Sequence, residues 1–228
     1  MWTPFTSSLP DKVNIVNIER TISRMARPTY HHGDLRRALA AVALDLTRSR
    51  GAAAVTIRDV ARRLEVSPAA IYRHFPDREA LLAEVARAAR MELARRMLEG
   101  LELVQSTEPR ARAIQRFLAS GRAYLRFAEA TPNLLEVAFT CAPPPGSEPE
   151  EPNPWHLLGR TLDELVETGA MPAELRQGAE NVAWSAVHGF AILSSSHAFD
   201  TSGEPHPDPE VLLAAIARSF GFEPVPST

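Results

Sequence analysis

Pro68 and Pro76 stand eight residues apart, and the chain between them has room for a helix of only about two turns. Proline suits the first helical position, where its missing N–H costs nothing, and it stops a helix at the residue before it. Ser67, directly ahead of Pro68, is a preferred N-cap. Upstream, Thr56 and Asp59 have the T-x-x-D spacing of a capping box, with Val55 and Val60 placed as a hydrophobic staple. Ile57, Val60, Ala61 and Leu64 give that segment one apolar stripe. Residues 56–75 are therefore expected to be two short helices joined by a tight turn at Glu65 and Val66.

A longer helix precedes them. Leu35, Leu39, Val42 and Leu46 recur at helical spacing, and Gly51 ends the run. A long helix backed by two short ones is the helix-turn-helix arrangement, whose second short helix enters the DNA major groove with its leading residues. Ile71 and Phe75, four apart, are expected to face the core. Ser67, Pro68, Ala69 and Ala70 are small enough for close approach, and their methyl groups suit thymine. Tyr72, Arg73 and His74 follow, within reach of phosphates or base edges. Arg58, Arg62, Arg63 and Arg78 add positive charge, and the N-terminus of the next helix, Asp77 to Ala80, offers N–H groups to a phosphate. Charge is segregated accordingly. Residues 27–96 hold fourteen arginines against eight acidic residues, a net of +6, whereas 97–228 hold eight against eighteen, a net of −10. A basic front end on an acidic remainder suits a polyanion-binding module joined to a part with a different task.

The rest of the chain also reads as helical. Asp77 caps a helix with Leu82, Val85, Ala89, Leu93 and Met97 on one face, running to about Leu103. Ile114, Phe117, Leu118, Gly121, Leu125 and Ala128 mark a fifth helix, and Thr131-Pro132 opens a short sixth. "CAPPPGSEPEEPNP", 141–154, has six prolines and reads as an exposed loop. Trp155 to Thr168 is helical up to Gly169, Pro172 opens a long helix to about Ser196, and Val211 to Phe220 forms the last one. The expected fold class is all-α. Residues 1–24 contain Lys12, the only lysine in the chain, and read as an extension ahead of the natural beginning at Met25.

The stretch "TIRDVARRLEVSPAAIYRHFPDREALLAEV", 56–85, closely resembles the DNA-binding signature of the TetR family of bacterial transcriptional regulators, a resemblance covering roughly residues 31–95. It implies an all-helical two-part subunit: residues 27–76 as the DNA-binding domain, 77–228 as the effector-binding and dimerisation domain, and 1–26 outside both. It further implies a homodimer on a palindromic double-stranded operator, with a repressor released by a small molecule as the default. Matched position by position, Pro68, Ala69, Ala70 and Tyr72 fall where the family reads bases. Arg73, His74 and Arg78 fall where it grips phosphate, and Thr56 where the second helix is capped near the backbone. Arg58 and Ser67 complete the expected DNA-facing set. One departure is Glu65, where the family has glycine; a left-handed backbone there would cost glutamate about 1 kcal/mol.

Two further stretches, "GRAYLRFAEATPNLLEVAF" at 121–139 and "WSAVHGF" at 184–190, resemble a subgroup carrying a Trp-x-x-x-His-Gly motif in its ligand domain. Trp184 and His188 share a helical face. The expected cavity wall comprises Phe117, Tyr124, Phe127, Phe139, Trp155, Trp184, His188 and Phe190, around a mostly apolar ligand. Ala179, Ala183, Ala186 and Val187, with the last helix, are expected at the dimer interface.

Other classes find little support. His31 and His32 are adjacent and do not share a helical face. Cys141 has no cysteine partner, and His156, His188 and His197 lack metal-site spacing. "SSSH", 194–197, lacks a nucleophile elbow. Neither catalysis, a cofactor nor a metal is expected. A helical adaptor without DNA binding would leave the arginine face unexplained; a transcriptional activator on the same fold would not. With one cysteine, no membrane-length apolar run and no signal peptide, a cytoplasmic setting away from membranes is expected.

Overall fold

Thr56, Ser67 and Asp77 each begin a helix, and the hydroxyl or carboxylate of each receives a backbone N–H three residues on: Asp59 at 3.0 Å, Ala70 at 3.2 Å and Ala80 at 2.7 Å. A computed structural model of the chain describes residues 32–141, 151–196, 198–202 and 207–224. The expected N-terminal extension and most of the proline-rich loop lie outside the described residues. Among those described, nine α-helices and three short 3-10 turns make up the regular structure, with no strand. The helices are α1 His32–Arg50, α2 Ile57–Arg63, α3 Pro68–Tyr72, α4 Arg78–Glu102, α5 Pro109–Ala130, α6 Pro132–Thr140, α7 Pro154–Glu167, α8 Ala179–Ser195 and α9 Pro209–Ser219. The chain is all-α, as its periodicity requires.

The capping box at the head of α2 is a variant. Thr56 donates its hydroxyl proton to the Asp59 carboxylate at 2.6 Å, where a full box would have that carboxylate accept a backbone N–H. Between α2 and α3 the turn closes with Val66 N–H on the Ala61 carbonyl at 3.0 Å. Glu65 sits there at φ +54°, the left-handed conformation that its position demanded.

The expected long helix from Pro172 is two pieces. Ala173–Leu175 form a 3-10 turn, and Gly178 at φ +79° redirects the backbone before α8 begins at Ala179. Arg176 fixes this corner, reaching Asp163 on α7 and Glu180 on α8, both at 2.7 Å.

Residues 36–228 cohere as one compact unit, and 1–35 fall to another, of which only the first turn of α1 is described. Within the larger unit α5 is central, touching α4, α6, α7, α8 and α9. Its Phe117, Leu118, Tyr124 and Phe127 are buried, and so are Leu93 and Met97 of α4, Leu162 and Leu165 of α7, and Leu213 of α9. Burial of such side chains contributes about 1.5–3 kcal/mol each. Around the helix-turn-helix, Leu39, Leu46, Val55, Val60, Ile71 and Phe75 form the core, each at most 2% exposed.

Candidate nucleic-acid interface and interior cavity

α3 is anchored by its far side. Ile71 and Phe75 are sealed in the core, and the Arg36 guanidinium lies 4.4 Å above the Phe75 ring while donating to the His74 carbonyl at 2.6 Å. This fixes which face α3 turns outward. Ser67, Pro68, Ala69, Tyr72 and Arg73 are exposed, Tyr72 to 53%, and Ala70 and His74 are half-buried beside them. Thr56, Arg58, Arg62 and Arg63 are exposed on the neighbouring helix, Arg62 paired with Asp59 at 2.5 Å. A small-residue leading edge, a protruding tyrosine and several guanidinium groups thus share one surface. Such a surface suits a major groove bordered by phosphates.

Arg78 is placed differently from what its motif position implies. Its Nε donates to the Val55 carbonyl and its Nη2 to the Ala52 carbonyl, both at 2.7 Å, and its Nη1 lies 3.9 Å from Glu79. The guanidinium braces the 3-10 turn that leads into α2. It ties the start of α4 to the segment between α1 and α2. A second tie lies further along α4. Glu92 receives Arg48 of α1 and Arg96 of its own helix, each at 2.8 Å. Burial alone would raise the Glu92 pKa, but the hydrogen bonds from the two arginines outweigh it and lower the pKa. Asn133 of α6 adds a bond to the Arg48 carbonyl at 3.2 Å.

Further along, a narrow apolar cavity of about 30 Å³ lies between α4, α5, α7, α8 and α9. Of the residues expected to line it, Phe117, Tyr124 and Trp184 do so. Phe139 and His188 stand behind them, 5.3 Å from Trp184 and 6.3 Å from Tyr124 between ring centres. Trp155 touches Trp184 from the outer side at 5.7 Å. Phe127 and Phe190 belong elsewhere. Phe127 is fully buried beneath the Arg96 guanidinium, and Phe190 pairs with Phe199. The remaining wall comes from Met97, Ser120, Gly121, Leu158, Ala183, Val187, Leu213 and Ile216. Aliphatic residues carry no chemical flag, so the sequence did not single these out; Gly121, in mid-helix, was the one available sign of a close approach. A Cβ there would stand 2.6 Å from Leu213 Cδ2.

Tyr124 and His188 form the polar feature of this region, with the hydroxyl 2.7 Å from Nδ1. Burial raises the tyrosine pKa well above its ordinary value and lowers that of the histidine, so both are held neutral.

Of the interface residues expected on α8, Ala186 is half-buried and the other three are buried. Ala179, Ala183 and Val187 are buried inside the chain, Ala183 and Val187 on the cavity. The outward face instead carries Val182, Ile192 and Leu193, with Val211 on α9, and no described residue lies within 4 Å of a Cβ built on Gly189. Among the described residues, no His, Cys, Asp and Glu are grouped to hold a metal ion, and no helix is long and apolar enough to cross a membrane.

Comparison with known proteins agrees with this geometry. Residues 39–85 match the family model for bacterial regulatory proteins of the tetR family, and residues 117–220 match the model for a tetracyclin repressor-like C-terminal domain. None of the curated proteins matches the chain. A solved structure of a protein of unknown function from Rhodococcus sp. RHA1 is 28% identical, with a TM-score of 0.67 over 86% of this chain and 97% of that one. RolR in complex with resorcinol is 19% identical, with a TM-score of 0.60 over 84% and 90%. A TetR variant from Acinetobacter baumannii AYE in complex with minocycline is 21% identical, with a TM-score of 0.52 over 80% and 93%. The chain belongs to the TetR family of bacterial regulatory proteins, which are non-enzymatic DNA-binding proteins.

Proposed function

We propose that the protein is a transcriptional repressor that binds a palindromic operator as a homodimer and leaves it when a small molecule enters the cavity. One observation carries this reading: α4 begins at the helix-turn-helix, where Arg78 holds the 52–55 turn, and further on gives Met97 to the cavity wall. A single rigid element therefore touches both sites. Residues 27–76 hold the DNA and 77–228 hold the effector and the partner subunit. Ser67, Pro68, Ala69, Ala70 and Tyr72 meet base edges, while Arg58, Arg73 and His74 meet phosphates beside Thr56. The exposed apolar residues of α8 and α9 meet their copies in the second subunit, and two-fold symmetry then requires inverted half-sites. DNA needs the two recognition helices at one spacing. A ligand that binds better to a swung α4 shifts the population away from that spacing, by no more than its differential affinity for the two states. All of this takes place in the cytoplasm, where the chromosome lies.

Selection of bound DNA from a random pool tests the reading. The expected product is a pair of inverted half-sites, and Tyr72→Ala is expected to lose about 1–3 kcal/mol on that site while binding random DNA as before. A pool that yields no common sequence would count against the whole assignment.

A further inference from the structure

α3 has five residues, too few to hold a direction by its own hydrogen bonds. Its orientation therefore comes from outside it. Ile71 and Phe75 sink its inner face in the core, but two apolar anchors on one line leave a helix free to rock about that line. The Arg36 guanidinium supplies a third point. Reaching across from α1, it donates from Nη1 to the His74 carbonyl at 2.6 Å, lies 4.4 Å above the Phe75 ring, and brings Nη2 to 3.6 Å from the Glu84 carboxylate on α4. One planar group thus meets α1, the link that follows α3, and α4. The carbonyl it holds belongs to the residue next to Arg73 and two on from Tyr72.

An exposed arginine beside a recognition helix invites a different reading, that Arg36 is one more phosphate contact. The geometry opposes it. Both terminal nitrogens face protein oxygens, and the flat face is laid on a ring. Glu84, held in place by Arg87 Nε at 3.0 Å, puts a negative charge where a phosphate would have to come. Among the three contacts, the exposed ion pair to Glu84 is the weakest in kind, and the charge-assisted bond to the carbonyl and the ring contact carry more. The hold is accordingly on the end of α3, with Glu84 orienting the guanidinium.

We propose that Arg36 is a positioning residue for sequence recognition: it sets the angle at which α3 presents Tyr72 and Arg73, without touching DNA itself. This rests on the reading of α3 as the recognition helix. Arg36→Lys separates positioning from phosphate contact. Lysine keeps the charge, but it has no planar fork to cover the Phe75 ring and bond the carbonyl together. The full chain is titrated with the selected operator and with random duplex over a range of salt. The variant is expected to lose about tenfold on the operator, the scale of a lost base contact. Random DNA should bind within about twofold of wild type, with the same salt slope. In the DNA-free protein, amide hydrogen exchange should quicken at residues 70–75 and stay unchanged at 57–63. Arg36→Gln should behave alike, and if it does not fold the lysine variant decides alone. Operator affinity equal to wild type in Arg36→Lys overturns the proposal. If the lysine variant keeps both affinities while Arg36→Gln loses equally on both DNAs, with a slope shallower by about 1, Arg36 is a phosphate contact instead. A lower melting temperature with the operator-to-random ratio kept makes it a stabilising residue only. A wild-type pool without a common sequence would sink the reading of α3, and the exchange rates would still show whether Arg36 sets its direction.

Discussion

Glu65 holds a conformation that glycine would adopt freely, at φ +54° in the turn between the two short helices. Its side chain is exposed and is not needed to close the turn, which backbone bonds do already. Glu65→Gly is therefore expected to stabilise the protein by about 1 kcal/mol, the left-handed penalty less part of the extra chain entropy of glycine. An unchanged or lowered midpoint in urea unfolding would refute it. Arg78 makes the opposite case. Its two bonds to the Val55 and Ala52 carbonyls are internal, so Arg78→Ala is expected to cost about 1–3 kcal/mol of stability as well as DNA affinity. Arg73→Ala should weaken DNA binding alone, evenly across sequences and with a smaller salt slope. If thermal melting of Arg78→Ala matches wild type, the bracing role is wrong. The sequence showed the glutamate's strain because position in a motif determines backbone conformation. It could not show where the Arg78 guanidinium turns, because that depends on carbonyls twenty-three and twenty-six residues away.

Among the helices, those punctuated by chemistry were legible and those shaped by packing were less so. Ser67, Pro68, Pro76 and Asp77 bound α3 and start α4, and each acts within a turn of itself. The break at Gly178 was missed because the apolar pattern runs on through it, and only the Arg176 bridges at that corner show why the chain turns. The cavity was half legible. Its aromatic side could be listed from residue type, but the aliphatic side arises from how α9 lies on α5. That contact is close at Gly121, where a methyl group would meet Leu213 at 2.6 Å. Leu213 also lines the cavity, and its terminal carbons can turn into the free space. Gly121→Ala is accordingly expected to cost under about 1.5 kcal/mol of stability, as a tolerated small insertion. It should lower the affinity for a cavity-bound probe by more than that. Parallel melting and calorimetric titration would show whether the loss falls on the fold or on the cavity; a change in melting with no change in affinity contradicts the placement of Leu213.

At the scale of the whole molecule, α8 and α9 carry apolar side chains that the described residues leave exposed. Val182, Leu193 and Val211 are 52%, 45% and 63% exposed, and Gly189 leaves an open step between them. Because no described residue comes within 4 Å of a Cβ at Gly189, Gly189→Arg should fold normally yet hold two such faces apart. The expected result is a monomer in sedimentation velocity at micromolar concentration, with unaltered helical content and loss of operator binding. A dimer of wild-type strength would move the interface elsewhere. The cationic face of the helix-turn-helix has a practical corollary. Every permanently cationic side chain on the described residues is an arginine, the chain's single lysine being Lys12. A guanidinium keeps its proton in any ordinary buffer and does not react with acylating reagents as an amine does. Acetylation therefore has no purchase on Arg58, Arg62, Arg63 or Arg73. An amine-directed dye would leave all four unmodified, and a sample labelled that way would report DNA affinity with its basic surface intact.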